Sequence, residues 1–172
     1  MRKSMVCVFF LATIVVILAG CPPYAPPPPD DTNTGGAADS VIAAIEQRAH
    51  DLVNIERANN GLPALAMNSD VRAVARAHSE DMAANNYFSH TNLDDESPFD
   101  RLDKAGVPWR TAGENIGYNS GYADPAAVAV DSWMNSDGHR ANILTEAFTH
   151  AGMGVGRAPD GAYYFTQVFI GN

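Results

Sequence analysis

Apolar residues recur at helical spacing from Ser40 onward: Val41, Ile42, Ile45, Ala49, Leu52 and Val53 form one stripe. This predicts a first helix capped by Ser40 and stopped at Gly61. A second stripe, Val71, Val74, Ala75, His78 and Met82, predicts a helix capped by Ser69 that ends where Asn85-Asn86 breaks the period. Ser97-Pro98 and Asp124-Pro125 each place proline in a first helical turn, predicting a short helix to near Gly106 and another through Trp133. The period then changes from 3.6 to 2. His150 to Arg157 alternates through Met153 and Val155, and Tyr163 to Ile170 is aromatic and β-branched, so both predict strands, with Asp160-Gly161 as the turn between them. A third strand is expected near Glu114 to Tyr118. Helices packed on a small sheet, an α+β fold, follow from this order.

The N-terminal 39 residues read differently. Arg2 and Lys3 precede a 16-residue apolar run from Met5 to Gly20, the pattern of an export signal (residues 1–20) and shorter than the roughly 20 residues of a spanning helix. Leu18-Ala19-Gly20-Cys21 resembles the bacterial lipobox, which implies cleavage before Cys21 and its acylation, the protein then being tethered to a membrane. Pro22 stands where an aspartate would mark inner-membrane retention, so an outer-membrane or surface location is expected. Residues 21–39 hold six prolines between Pro22 and Pro29 followed by Asp30-Asp31-Thr-Asn-Thr-Gly-Gly, a spacer that is stiff, then loose. Residues 40–172 are the size of one domain.

Composition removes whole classes of chemistry. Cys7 and Cys21 are the only cysteines, so the domain has no disulfide, cysteine nucleophile or thiolate metal site. Without Arg2 and Lys3, nine basic residues face 20 acidic ones, a net of −11 that excludes a nucleic-acid partner. Asp94-Asp95-Glu96 lacks the alternating oxygen ligands of a calcium loop. No Gly-x-Ser-x-Gly elbow occurs, so serine-hydrolase chemistry lacks its sign.

Three segments carry candidate chemistry: Tyr87-Phe-Ser-His90, Gly113-Glu-Asn115, and Trp133-Met-Asn-Ser-Asp-Gly-His-Arg-Ala-Asn-Ile-Leu144, with His139 in a glycine-broken turn. His90, Glu114 and His139 could form a zinc first shell, or act as base, acid and orienting group in proton transfer. Their gaps of 24 and 25 residues match no local metal signature. His78, on the apolar face of the second helix, reads as a core histidine with one ring nitrogen bonded, and His50 and His150 as structural or exposed. Trp133 reads as core and Gln167 as structural.

Together with Asn54-x-x-Arg57, Gly61-Leu-Pro63 and the closing Tyr-Phe-Thr-Gln-Val-Phe169, these ordered motifs resemble the CAP superfamily in its bacterial, SCP-like branch, over nearly all of Ser40 to Gly171. The resemblance implies a three-layer α-β-α sandwich with a mainly antiparallel central sheet. It also implies a cleft of two histidines and two acidic residues that holds zinc or another divalent cation. By motif, His90, Glu114 and His139 take three of the four places. Ser136 stands at the fourth, where many eukaryotic relatives have glutamate, and Asp137 is its acidic neighbour. Asn115, Arg140 and Asn142 are expected to support the cleft. A lipid-anchored binding domain for a small ligand, lipid or envelope component is therefore the first expectation. A metal-dependent peptidase in which Glu114 activates water is the second, and a structural adhesin with a vestigial cleft the third.

Overall fold

The computed structural model describes residues 34–171, so the signal, Cys21 and most of the spacer lie outside the described residues. Nine elements follow in order: α1 (Thr34–Asn59), β1 (Ala66–Met67), α2 (Ser69–Asn85), α3 (Pro98–Lys104), β2 (Thr111–Asn119), α4 (Pro125–Met134), α5 (Asp137–Ile143), β3 (His150–Arg157) and β4 (Tyr163–Gly171). The sheet order is β1-β3-β4-β2, with β1 parallel to β3 and the other pairs antiparallel. The expected α+β sandwich is therefore present.

Alternation along the strands assigns each layer its helices. Phe165 and Phe169 of β4, with Ala151, Met153 and Val155 of β3, pack against Ala49 and Val53 of α1, Val130 and Trp133 of α4 and Ile143 of α5. Val168 and Ile170, on the opposite face of β4, pack against Val71, Val74 and Ala75 of α2 and Leu102 of α3.

α2 sits unusually close to the sheet. A Cβ on Gly152, Gly154 or Gly156 would overlap the backbone of Arg72, Arg76 or Ser79, so the glycines of β3 form a trough for one ridge of α2. Ser79 reaches across it, its hydroxyl donating to the Gly154 carbonyl at 3.0 Å and bonding Thr166 Oγ1 at 2.8 Å.

Both rims of the sheet are closed by side chains. On the β3 rim, β1 covers only two residues, and beyond it the buried Glu46 of α1 accepts the Val155 N–H at 3.1 Å. The same carboxylate accepts from Arg72 Nε at 2.8 Å and Arg76 Nε at 2.7 Å, tying α1 to α2 around the strand edge. On the β2 rim, the outward carbonyls of Glu114 and Ile116 accept from Asn142 Nδ2 at 3.1 Å and Trp133 Nε1 at 2.9 Å. Such capping protects an edge strand from pairing with another chain.

Several local expectations need correction. α1 begins at Thr34 rather than Ser40, whose hydroxyl donates back to the Ala37 carbonyl inside the helix instead of capping it. α2 is capped by Asn68, which accepts from the Asp70 and Val71 amides, and Ser69 is its first helical residue. The third strand spans Thr111–Asn119, longer than Glu114 to Tyr118. The segment around His139 is the helix α5 rather than a glycine-broken turn; Gly138 lies within it, without a positive φ. α3 and α4 begin at Pro98 and Pro125 as expected, with Ser97 and Asp124 as their caps, and Gly161 takes φ 90° in the turn between β3 and β4.

Candidate functional site

The site forms along the outer rim of β2. Glu114 lies in the middle of this edge strand, not at the end of an element, and its carboxylate is buried. One oxygen accepts from Arg101 Nη2 of α3 at 2.7 Å, and the other bonds His90 Nδ1 at 2.8 Å. A carboxylate can only accept from its partner here, so His90 carries its proton on Nδ1 and presents Nε2. The His90 ring is half-exposed, whereas Arg101 is buried. Arg101 also fixes the loop that carries His90, donating through Nη1 to the carbonyls of His90 and Glu96, each at 2.9 Å.

His139 approaches from α5. Ser136 occupies the N-cap position, yet its hydroxyl makes no capping bond and instead meets His139 Nδ1 at 2.9 Å. Both imidazoles are thus pinned through Nδ1, His90 by a carboxylate and His139 by a hydroxyl. Burial, and then the charge of nearby His90, hold His139 below the usual histidine range.

The remaining motif residues hold α5 against β2. Asn115 donates to the His139 carbonyl at 3.1 Å and accepts from Asn142 Nδ2 at 2.9 Å. Gly113 and Gly117 leave room for this contact: a Cβ would come within 3.1 Å of the Phe148 ring in one case and 3.2 Å of Trp133 Nε1 in the other. Arg140 donates to the Met134 carbonyl and to Asp137, whose side chain is 95% exposed and so does not turn in beside His139. Among the described residues no three His, Cys, Asp or Glu side chains gather where they could hold one metal ion.

The structure therefore places His90 against Glu114 and His139 close by, with Ser136, Asn115, Asn142 and Arg140 as supports. Sequence reasoning missed Arg101. Nothing in its spacing announces it, since its partners lie 11 and 13 residues away in a loop and a strand. His78 is a core histidine bonded through Nε2 to the Ser89 carbonyl at 2.9 Å. His50 is buried against the Leu65 carbonyl, and His150 opens β3. Gln167 shares the inner face of Phe165 and Phe169, fully buried, and neither of its amide atoms has a partner among the described residues.

Three histidines make stability depend on pH. Burial first lowers His50, His78 and His139, helped by Arg101 at His78 and by His90 at His139. Below about pH 6.5 the unfolded chain takes up protons that the fold refuses. Their contribution is complete above that pH and is lost as pH falls through the depressed values. Urea midpoints should hold level from pH 8 to about pH 7 and fall from about pH 6.5 to pH 5, with a shallower fall in His78→Gln; a flat profile down to pH 5 would contradict this.

Comparison with known proteins agrees with the motifs and the layers. Residues 50–169 match the family model described as CAP, the cysteine-rich secretory protein family. The chain is 43% identical over 134 residues to the uncharacterized protein YkwD of Bacillus subtilis, covering 78% of this chain and 50% of that one. It is 45% identical over 125 residues to the uncharacterized membrane protein YlbC of the same organism, covering 73% and 34%. A crystal structure of an extracellular SCP-domain protein from Bacillus anthracis superposes with a TM-score of 0.69 at 37% identity, covering 87% of this chain and 45% of that one. The chain thus spans half or less of the length of these relatives. With 120 consecutive residues matched and the sandwich in place, the chain belongs to the CAP family of cysteine-rich secretory proteins.

Proposed function

We propose that the protein is an extracytoplasmic CAP domain, held at a membrane by an acylated Cys21, whose cleft binds rather than cleaves. His90 and His139 offer Nε2 to a divalent transition metal, and a small ligand, lipid or envelope component that enters the cleft completes the coordination. The observation that carries this reading is the anchoring of both rings through Nδ1, on Glu114 and on Ser136. Metal-binding histidines commonly bond their second nitrogen in this way, which fixes tautomer and direction. The residues fit a weak site: two neutral nitrogen donors are fewer than the three protein ligands of a catalytic zinc centre. The location is supported by the signal-like N-terminus, by Leu18-Ala19-Gly20-Cys21, and by relatives described as an extracellular protein and a membrane protein.

A metal-dependent peptidase ranks behind. Its general base would be Glu114, and both oxygens of that carboxylate are already held, by Arg101 and His90. The Ser136 hydroxyl, at the place of the second acidic group, is bonded to His139.

Calorimetric titration of the mature protein with zinc tests the assignment. One site is expected, at least 10-fold weaker in His90→Ala and in His139→Ala and about 10-fold weaker in Ser136→Ala. It should weaken as pH falls, because protons compete for the same nitrogens. Equal affinity in wild type and both histidine variants, or no binding at all, would overturn the metal assignment. A vestigial cleft predicts that the triple variant of His90, Glu114 and His139 complements a deletion fully.

A further inference from the structure

A second concave site lies between α2 and α3, walled in part by the segment that follows His90. It is a groove of about 520 Å³ whose floor is one face of α2: Asp70, then Ala73, Val74 and Ala77, then Asp81. These positions recur every three or four residues, so they run in line along the helix. Eleven residues at 1.5 Å each put the two ends of this face about 16 Å apart, with the small apolar Ala73, Val74 and Ala77 and the edge of His78 between them. The facing wall carries Asp94, Glu96 and Lys104.

The charges on these walls do not cancel. Lys104 pairs with Glu96 at 2.6 Å and Arg101 with Glu114 at 2.7 Å, so each groove cation already has its own carboxylate. Asp70, Asp81 and Asp94 have no cationic partner among the described residues. Asp81 accepts from the Tyr87 hydroxyl and from Asn85, neutral donors that leave its charge in place.

A separate observation points the same way. His78 lines this groove and is only 2% exposed. Its Nε2 bonds the Ser89 carbonyl, which can only accept, so the ring proton sits on Nε2 and Nδ1 is an acceptor. Nδ1 has no partner among the described residues. Burial, and then Arg101, keep this ring below the usual histidine range and hence neutral. A buried acceptor without a donor is destabilising, and a ligand rich in N–H donors relieves it.

We propose that this groove binds a linear aliphatic polyamine lengthwise along α2, its ammonium groups on Asp70, Asp81 and Asp94 and its methylene segments over Ala73, Val74 and Ala77. The site is independent of the metal reading of the cleft. Length discriminates it from general attraction to an acidic protein: a chain of about 16 Å spans both ends of the helix face, and a four-carbon diamine reaches one.

Calorimetry of the mature protein with spermine and with putrescine, at about 0.15 M salt, tests the proposal. Spermine should bind at one site at least 10-fold more tightly than putrescine. Asp70→Asn, Asp81→Asn and Asp94→Asn should each weaken it about 3- to 10-fold, and Ala77→Leu, which fills the exposed middle of the groove, should abolish it. Asp131→Asn, which removes an exposed carboxylate elsewhere, and His90→Ala/His139→Ala should leave it unchanged. If Asp131→Asn weakens binding as much as the groove variants do, or Ala77→Leu binds like wild type, the polyamine is held by net charge alone and the proposal fails.

Discussion

Replacement of Arg57 by methionine is expected to lower the free energy of unfolding by about 3–5 kcal/mol, a large share of what a domain of this size possesses. Arg57 is fully buried and has no carboxylate partner among the described residues. Its guanidinium instead donates to four carbonyls: Pro63 at 2.9 Å, Ile143 at 2.7 Å, Thr145 at 2.9 Å and Phe148 at 3.3 Å. Burial pulls its pKa down, the direction expected of a charge solvated by dipoles alone. Methionine fills the space but leaves those carbonyls without donors, each a desolvation cost of about 1–3 kcal/mol where water cannot enter. Three of them lie at and just after the end of α5, so amide exchange in α5 should accelerate before global unfolding. Arg57→Lys should recover only part of the loss, because one ammonium cannot span a fork of donors. Urea denaturation measures both variants; a change below about 1 kcal/mol for the methionine variant would show that the carbonyls reach water.

Gly154→Ala should be equally damaging for a steric reason. Its Cβ would overlap the backbone of Ala75 and Arg76, atoms that no rotamer change can move away. Either α2 lifts from β3 or the strand bends, and the Ser79 bond to the Gly154 carbonyl is lost with it. The expected cost is more than about 3 kcal/mol, at the upper end of overpacking effects. Gly138→Ala provides the contrast: that glycine lies in α5 with nothing near its would-be Cβ, so alanine should stabilise by up to about 1 kcal/mol. Thermal unfolding followed by circular dichroism separates the two, and a Gly154→Ala protein with wild-type melting would refute the close seating of α2.

Elements with a strong period and a clear cap were legible in the sequence. The stripe of α2, the Ser97-Pro98 and Asp124-Pro125 starts and the alternation of β3 and β4 each act within a few residues, which is the range that a pattern can report. What escaped depends on partners far along the chain. β1 is two residues long and is defined only by pairing with β3, 84 residues later, at Ala66 with His150. α5 was hidden because a glycine beside a histidine suggests a turn, whereas Arg140 and the Asn115–Asn142 contact hold that segment helical. α1 extends back to Thr34 with almost no buried side chain in its first turns, so hydrophobic periodicity had nothing to register there.

The site divides the same way. The motifs marked His90, Glu114 and His139, and the structure brings the first two into direct contact with the third nearby. They gave no sign that Glu114 would be neutralised by Arg101, because an arginine within a seven-residue helix carries no local signature. Glu46 did leave a trace. It lies on the buried side of α1 beside Ala49 and Val53, and a carboxylate at such a position requires cations, which Arg72 and Arg76 supply from another helix.

That clamp has a mechanical meaning. α1 is the element through which the described domain joins the preceding chain; Gly36 to Val41 are exposed, Ile42 and Ile45 are partly buried against the core, and the first fully buried residue that tension would meet is Glu46. There a single carboxylate grips two guanidinium groups of α2 and one amide of β3, spreading the load over helix and strand together. Pulled from its N-terminus, the domain should lose the exposed first two turns of α1 at low force and resist sharply from Glu46 onward.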